Sequence, residues 1–367
     1  MRRVLVTRLD GAGDVLLAGP AVRAVAASAE VTLLCGPAGA AAGRLLPGPR
    51  EVLTWGSPWG HHPPPPVDRR DLDRVVDRLA ALRLDEAVVL TSFHQSPLPT
   101  ALLLRMAGVG RITGASVDYP GALLDVRLRP GDGPGDDLPE DIPEPERALR
   151  IAAAGGFTLP PGDDGALAVR RPPPVDALLG PLATRPYVVL HPGAAAPARR
   201  WPAGHHARAA ELLESVGFPV VVTGSADERD LTAAVAHHPD RDLGGRTDLA
   251  TLAGVLSRAA AVVVGNTGAA HLAAAVGTPV VSLFAPVVPA VRWRPHRVPQ
   301  VLLGDQDAPC RDTRARDCPV DGHPCLVGVR PEEVVAAVLR LVRRRRPGRT
   351  VTTPAPARVA VRPEGDL

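Results

Sequence analysis

The chain has 367 residues, enough for about two domains, and its apolar content of 45% with only 3% aromatics implies cores of Ala, Val and Leu. All 42 basic residues are Arg, so a cation that binds phosphate here must be Arg or His. Residues 343–367 hold seven Arg against Glu364 and Asp366, which leaves a net charge of −2 on the first 342 residues and excludes a basic nucleic-acid-binding body.

The four cysteines do not form a disulfide framework in a chain of this length. Cys310, Cys318 and Cys325 have seven and six residues between them, a spacing that matches no zinc pattern, so we interpret them as structural. Few apolar residues follow Met1 before charges intervene at Arg8, and the sequence therefore predicts no signal-peptide core. We expect a cytoplasmic protein.

The first predicted unit is a strand at 4–6, a glycine-bearing loop at 7–14 and a helix at 15–27. The loop matches two glycines of the dinucleotide-binding fingerprint, but the third position is Leu16. A P-loop is excluded because the chain has no Lys. The last residue of the loop, Asp14, presents a carboxylate at the predicted start of the helix, where an ordinary charge on the helix dipole is the alternative interpretation.

Strands and helices then alternate, which predicts a doubly wound parallel sheet. Further strands are predicted at 31–34, 52–54, 87–90 and 111–113, with helices at 71–82, 98–106 and 146–154. His94 lies in the polar loop after the strand at 87–90. Residues 171–174, Arg followed by three Pro, predict an interdomain linker. The predicted domains are therefore 1–174 and 175–342, followed by a disordered Arg-rich tail at 343–367.

The alternation begins again after the linker. Strands are predicted at 187–190, 220–223, 261–264 and 280–284, and helices at 204–216, 228–236, 248–258 and 269–276. Because strand-end loops of a parallel sheet lie at one edge, they bring together His191, Arg199, Glu228, Thr247, Asn266 and His271. Two such halves predict a ligand cleft between them.

The most informative stretch is 261–286, where Asn266-Thr267-Gly268 separates a buried strand from a short helix. Free N–H groups and a partial positive charge at the start of that helix suit a phosphate group. His271 falls on its first turn. A buried Ala-rich helix without a ligand remains the alternative.

Four segments together resemble glycosyltransferase family nine, the ADP-heptose:lipopolysaccharide heptosyltransferase family. They are 8–17 (RLDGAGDVLL), 191–193 (HPG), 199–202 (RRWP) and 266–275 (NTGAAHLAAA). The likeness runs in order from about residue 4 to 341. It implies an α/β fold of GT-B type, with two Rossmann-like, doubly wound parallel-sheet domains that face a central cleft.

The resemblance also implies roles for individual residues. Asp14 matches the family's proposed general base, and Arg199 matches a diphosphate-binding cation that is usually Lys. Glu228 falls near a ribose-binding carboxylate, while Asn266 stands where the family usually has Asp touching the donor sugar. The expected donor-binding set is His191, Gly193, Arg199, Arg200, Gly224, Glu228, Thr247, Asn266, Thr267, Gly268 and His271, and the expected acceptor-side set is Arg8, Gly13 and His94.

The expected reaction is an inverting, metal-independent transfer of a heptose or related sugar from a nucleotide-diphosphate donor, ADP-heptose in the family. The acceptor would be a hydroxyl of a glycan, glycolipid or small molecule, and no cofactor is expected. We expect a monomer that binds no nucleic acid and makes at most peripheral contact with the inner face of the membrane. Two alternatives stay open: a non-catalytic nucleotide-sugar binder, and another GT-B enzyme such as a nucleotide-sugar epimerase.

Overall fold

The computed structural model describes residues 1–60, 64–92 and 94–344. This part of the chain divides into two compact units, one ending at Arg170 and the other beginning at Arg171. The boundary predicted from the linker, after Pro174, lies a few residues later. The predicted tail falls outside the described residues except for Arg343 and Arg344, which are helical and not the disordered start that the sequence predicts.

The first unit contains a six-stranded sheet in the order β3-β2-β1-β4-β5-β6, with every pair parallel. Its strands are β1 (Arg3–Arg8), β2 (Glu30–Cys35), β3 (Glu51–Thr54), β4 (Glu86–Val89), β5 (Arg111–Ala115) and β6 (Val126–Leu128). The strand order reverses between β1 and β4. The connections that follow these two strands therefore lead in opposite directions. In parallel sheets this is the position, at the carboxyl ends of the strands, where a ligand crevice forms.

The helices of the first unit are α1 (Ala12–Leu17), α2 (Gly19–Ala26), α3 (Pro37–Leu45), α4 (Arg69–Ala81), α5 (Leu98–Met106) and α6 (Glu144–Ala154). The single helix predicted over 15–27 is wrong, because the structure has two helices there. Pro20 lies in the first turn of α2 and has no N–H to continue a helix from Leu16. Asp14, predicted on a loop, lies in the first turn of α1.

The second unit contains a five-stranded parallel sheet in the order β11-β10-β9-β7-β8. Its strands are β7 (Val188–His191), β8 (Val220–Val222), β9 (Ala261–Gly265), β10 (Val280–Leu283) and β11 (Gln300–Leu303). Strands β7 to β10 are almost entirely buried, as expected for a parallel sheet covered on both faces. Here the order reverses between β7 and β9.

The helices of the second unit are α7 (Asp176–Leu179), α8 (Ala203–Ser215), α9 (Arg229–Val235), α10 (Leu249–Arg258), α11 (Gly268–Ala275), α12 (Ala290–Trp293), α13 (Pro324–Val327) and α14 (Pro331–Arg344). Short 3-10 turns at Pro197–Arg199 and Ala226–Glu228 follow β7 and β8. Among the described helices, none has both the length and the apolar run needed to cross a bilayer.

Candidate functional site

In the first unit, Arg8 at the end of β1 lies at the centre of a polar cluster. Its side chain is only 3% exposed, and its Nε lies 2.8 Å from Asp10 Oδ2 while its Nη2 lies 3.0 Å from Asp14 Oδ1. Nη2 also donates to Ser92 Oγ at 2.9 Å. Burial opposes the charged form of Arg8, but the carboxylates of Asp10 and Asp14 outweigh it and raise the pKa of Arg8.

The two carboxylates around Arg8 differ in their surroundings. Asp10 is 10% exposed, accepts from Gln95 Nε2 at 2.6 Å, and has Ser92 Oγ at 3.4 Å from its Oδ2. Asp14 is 28% exposed and is bonded to Arg8 through Oδ1. Asp14 is therefore the more accessible carboxylate, whereas Asp10 is enclosed by hydrogen-bond donors.

The structure brings some of the predicted acceptor-side residues together. Arg8 and Asp14 are in direct contact, and Gly13 precedes Asp14 in α1. His94 is exposed on the loop after β4. Asp10, Ser92 and Gln95 were not predicted as site residues. Asp10 stood within the quoted motif, but the sequence held no signal that β1 and β4 are neighbours.

In the second unit, α11 begins directly after β9 with Thr267 as its N-cap. Thr267 Oγ1 and His271 Nδ1 are buried, and neither has a hydrogen-bond partner among the residues that the structure describes. His271 is 5% exposed. Two unsatisfied polar atoms beside a helix N-terminus indicate a place that a polar ligand could complete.

Asn266 and Arg199 meet at the same loop. The Asn266 side chain faces the backbone of Ala285, donating to its carbonyl and accepting from its N–H, each at 3.4 Å. Arg199 Nη1 donates to the carbonyl of Asn266 at 3.3 Å. Gly265 permits this approach, because a Cβ there would lie 2.7 Å from the Arg199 carbonyl oxygen. Arg200 instead donates from Nε to the Ala194 carbonyl at 2.8 Å, so it fastens the loop after β7.

Glu228 lies against the loop after β7. Its Oε2 accepts from the Ser225 N–H at 2.9 Å in a capping box, and its carboxyl group covers Gly193. His191 Nδ1 lies 3.0 Å from Thr223 Oγ1. Burial lowers the pKa of His191, and the charge of Glu228 opposes that shift. The carboxyl end of the second sheet therefore carries a Glu228 carboxylate, held by its capping box, beside a His191 imidazole whose charged form is disfavoured by burial.

The remaining predicted donor residues lie around these two loops. Gly224 follows β8, and a Cβ there would lie 2.6 Å from Thr232 Cγ2, so Gly224 lets α9 pack closely. Thr247 is half-buried just before α10. Gly268 is the first residue of α11.

Comparison with known proteins identifies this second unit. The model of glycosyltransferase family 9 (heptosyltransferase) matches residues 162–323, which include every predicted donor residue. The second unit therefore has the sequence pattern of glycosyltransferase family 9.

Curated relatives align with this chain over stretches of similar length. The chain is 35% identical over 121 residues to lipooligosaccharide heptosyltransferase 2 of Haemophilus influenzae, covering 31% of this chain and 34% of that protein. It is 34% identical over 162 residues to lipopolysaccharide heptosyltransferase 2 of Salmonella typhimurium, covering 41% of this chain and 45% of that protein. The matched part thus spans less than half the length of these relatives.

The solved structure of Escherichia coli ADP-heptose LPS heptosyltransferase II extends the likeness to both units. It aligns with a TM-score of 0.71 at 19% identity and covers 93% of this chain and 98% of that one. At this identity the alignment concerns the fold alone. The chain therefore has the GT-B fold, with one parallel-sheet α/β domain in each unit.

Among residues 1–60, 64–92 and 94–344, no group of three or more His, Cys, Asp or Glu is arranged to hold a metal ion. The cysteines among them are free thiols, and Cys310 and Cys325 are buried in the core of the second unit.

His271 should make the stability of the folded chain sensitive to acid. Burial, then the charges of Arg199 and His296, lower its pKa from 6.5 to about 4. Between these values the unfolded chain binds the proton and the folded chain does not, so the free energy of unfolding falls as the pH drops, by on the order of 3 kcal/mol for this group. Urea unfolding at several pH values should show a shallower decline for His271→Gln. Equal slopes for parent and variant would contradict this assignment.

A side chain at Gly193 should displace Glu228. A Cβ there would lie 2.1 Å from Glu228 Oε1 and Cδ, so Gly193→Ala must move the carboxylate out of its capping box. We expect a loss of about 0.5–2 kcal/mol of stability, the usual cost of removing a helix cap, because the displaced group is the end of a flexible side chain. Gly204→Ala in α8 is the matched control, because a Cβ there meets open space. Equal melting temperatures for the two variants would show that Glu228 is free to move.

Proposed function

We propose that this chain is a glycosyltransferase that transfers a heptose or related sugar from a nucleotide-diphosphate donor, with ADP-heptose as the first candidate, to a hydroxyl group of a glycan or glycolipid. The family match and the names of the curated relatives support the class of reaction. The single observation that carries the proposal is the start of α11, where buried, unsatisfied Thr267 and His271 atoms lie beside Arg199.

The proposed diphosphate site uses Arg199 and the first N–H groups of α11. A diphosphate needs positive charge, and His271 is largely neutral near pH 7 because its pKa is about 4. The cationic charge would therefore come from Arg199, with the helix dipole adding to it. Thr267 Oγ1 and His271 Nδ1 would supply hydrogen bonds. This arrangement could stabilise the departing diphosphate without a metal ion, which is why we propose a metal-independent transfer.

Two further donor contacts are proposed at the neighbouring loops. Glu228, fixed by its capping box, would accept hydrogen bonds from the ribose hydroxyls. Asn266 would contribute less to sugar recognition than an Asp there, since its amide already bonds to Ala285. The transferred sugar is therefore to be identified by testing a panel of nucleotide-sugar donors.

The proposed chemical step uses Asp14 as general base. The Asp14 carboxylate would take the proton of the acceptor hydroxyl while that oxygen forms a bond to the anomeric carbon. The bond from the anomeric carbon to the diphosphate oxygen would break on the opposite face, so the configuration inverts. Arg8 would orient Asp14 through the 3.0 Å contact.

The test is a donor and acceptor panel with the full chain. We expect ADP-heptose to raise the melting temperature more than other nucleotide sugars, because ligand binding to the folded state stabilises it by RT ln(1 + [L]/Kd). We also expect ADP release that depends on an added glycan or glycolipid acceptor. Binding without release under any acceptor would favour the non-catalytic binder, and release of a free epimerised sugar would favour an epimerase.

A further inference from the structure

We propose that Asp10 is a positioning residue that controls Asp14 through Arg8, so that the two carboxylates compete for one buried guanidinium. This inference rests on the proposed function, because it concerns the group that would accept the proton. The network joins the loops after β1 and β4, where the strand order of the first sheet reverses.

The geometry separates the roles of the two carboxylates. Asp10 Oδ2 forms an ion pair with Arg8 Nε at 2.8 Å, and Asp10 Oδ1 accepts a hydrogen bond from Gln95 Nε2 at 2.6 Å, so Asp10 is held from two sides. Asp14 takes only the Nη2 edge of Arg8, and Ser92 Oγ accepts from the same nitrogen at 2.9 Å. Arg8 is therefore fixed in place by Asp10 and Ser92, and its position in turn fixes the nearer oxygen of Asp14.

Charges on the helices packed against α1 complete the electrostatic surroundings. From α6, Glu144 and Arg147 are both buried, and Glu144 adds to the negative field at Arg8. On α2, Arg23 is committed to Asp163 by contacts of 2.6 and 2.8 Å. Arg44 lies in the last turn of α3. Arg8 is in direct contact with Asp14, so a change at Arg8 or at its partner Asp10 alters the electrostatic surroundings of Asp14.

Two substitutions should then act in opposite directions. Asp10→Asn removes a negative charge near Asp14, and Asp14 then no longer shares the positive charge of Arg8 with a second carboxylate. The acidic limb of the plot of kcat/KM against pH should therefore move to lower pH. In Arg8→Gln, the cation is lost and the limb moves to higher pH. The scale for one neighbouring charge is roughly one pH unit. If Asp10 and Arg8 served only the folding of the protein, both substitutions would lower activity, but they would not move the acidic limb in opposite directions.

The experiment measures acceptor-dependent ADP release against pH for the parent, Asp10→Asn, Arg8→Gln and the charge-conserving Asp10→Glu and Arg8→Lys. We expect the conserving variants to keep the parental limb even where kcat falls. Asp73→Asn, an exposed carboxylate of α4, is the matched control and should leave the profile unchanged. If Asp10→Asn does not fold, the Arg8→Gln and Arg8→Lys pair tests the same coupling.

The outcomes distinguish this inference from the proposed function. A parent that releases no ADP with any acceptor overturns the proposed function itself. An active parent whose Asp10→Asn and Arg8→Gln limbs stay in place, or move the same way, overturns the inference alone. Loss of all turnover in Asp10→Asn with turnover kept in Asp14→Asn would make Asp10 the base and also overturn it.

Discussion

Replacing Asp14 by Asn is expected to lower kcat by about 10²–10⁴-fold, the usual contribution of general-base catalysis. Asn retains an oxygen that can accept from Arg8 Nη2, so the local geometry is preserved while the ability to take a proton is lost. Affinity for the donor should stay nearly unchanged, because the proposed diphosphate site lies in the other unit. Steady-state kinetics and ADP titration on the same preparation measure both quantities.

The alternative for Asp14 is a simple favourable charge in the first turn of α1. In that case Asp14→Asn would cost a few tenths to about one kcal/mol of stability and little rate. Melting temperature and turnover measured together on this variant separate the two interpretations. Asp73→Asn in α4 again serves as the matched carboxylate-to-amide control. Near-normal turnover of Asp14→Asn would contradict the proposed mechanism but would not affect the description of the fold.

Replacing Arg199 by Ala is expected to weaken binding of ADP by about 1.5–3 kcal/mol, the range for hydrogen bonds to charged groups. That is roughly a 10- to 150-fold rise in Kd. The reason is that His271 is largely neutral near pH 7, so Arg199 would carry the positive charge of the site. Isothermal titration with ADP at moderate salt measures the change.

Two neighbouring arginines sharpen this test. Arg208→Ala removes a side chain of α8 that pairs with Glu211, and it should leave ADP affinity unaltered. Arg200→Ala breaks a bond to the Ala194 carbonyl, and its effect should be smaller than that of Arg199→Ala. A larger loss in Arg200→Ala, with Arg199→Ala unaffected, would transfer the diphosphate contact to Arg200.

The regular alternation of apolar runs and amphipathic stretches was sufficient to predict two parallel-sheet units. It was less reliable where local signals conflict. Helix α3 was missed because PAGAAAGRL has small residues and no clear apolar period, and it is stabilised by packing on α1. The boundary between α1 and α2 was missed because the sequence predicted one helix over 15–27, whereas Pro20 lies in the first turn of a second helix.

The site residues likewise divide into those that local sequence indicates and those that only tertiary contacts bring together. Asp14, Arg199, Thr267 and His271 stand in recognisable motifs, so their residue types and neighbours along the chain were enough to select them. Strand order is different, because hydrogen bonding between β1 and β4 depends on contacts that are distant in sequence.

The sequence alone therefore determined the residue types at each strand end and the class of fold, since both follow from local periodicity and short motifs. Only the tertiary structure decided that Asp10 and Ser92 contact Arg8, that Gln95 contacts Asp10, and that the Asn266 amide bonds to Ala285. Apart from the Arg8–Asp10 pair, these contacts join residues that lie 19 to 85 positions apart. They form because parallel pairing places the ends of neighbouring strands side by side, whatever their separation along the chain.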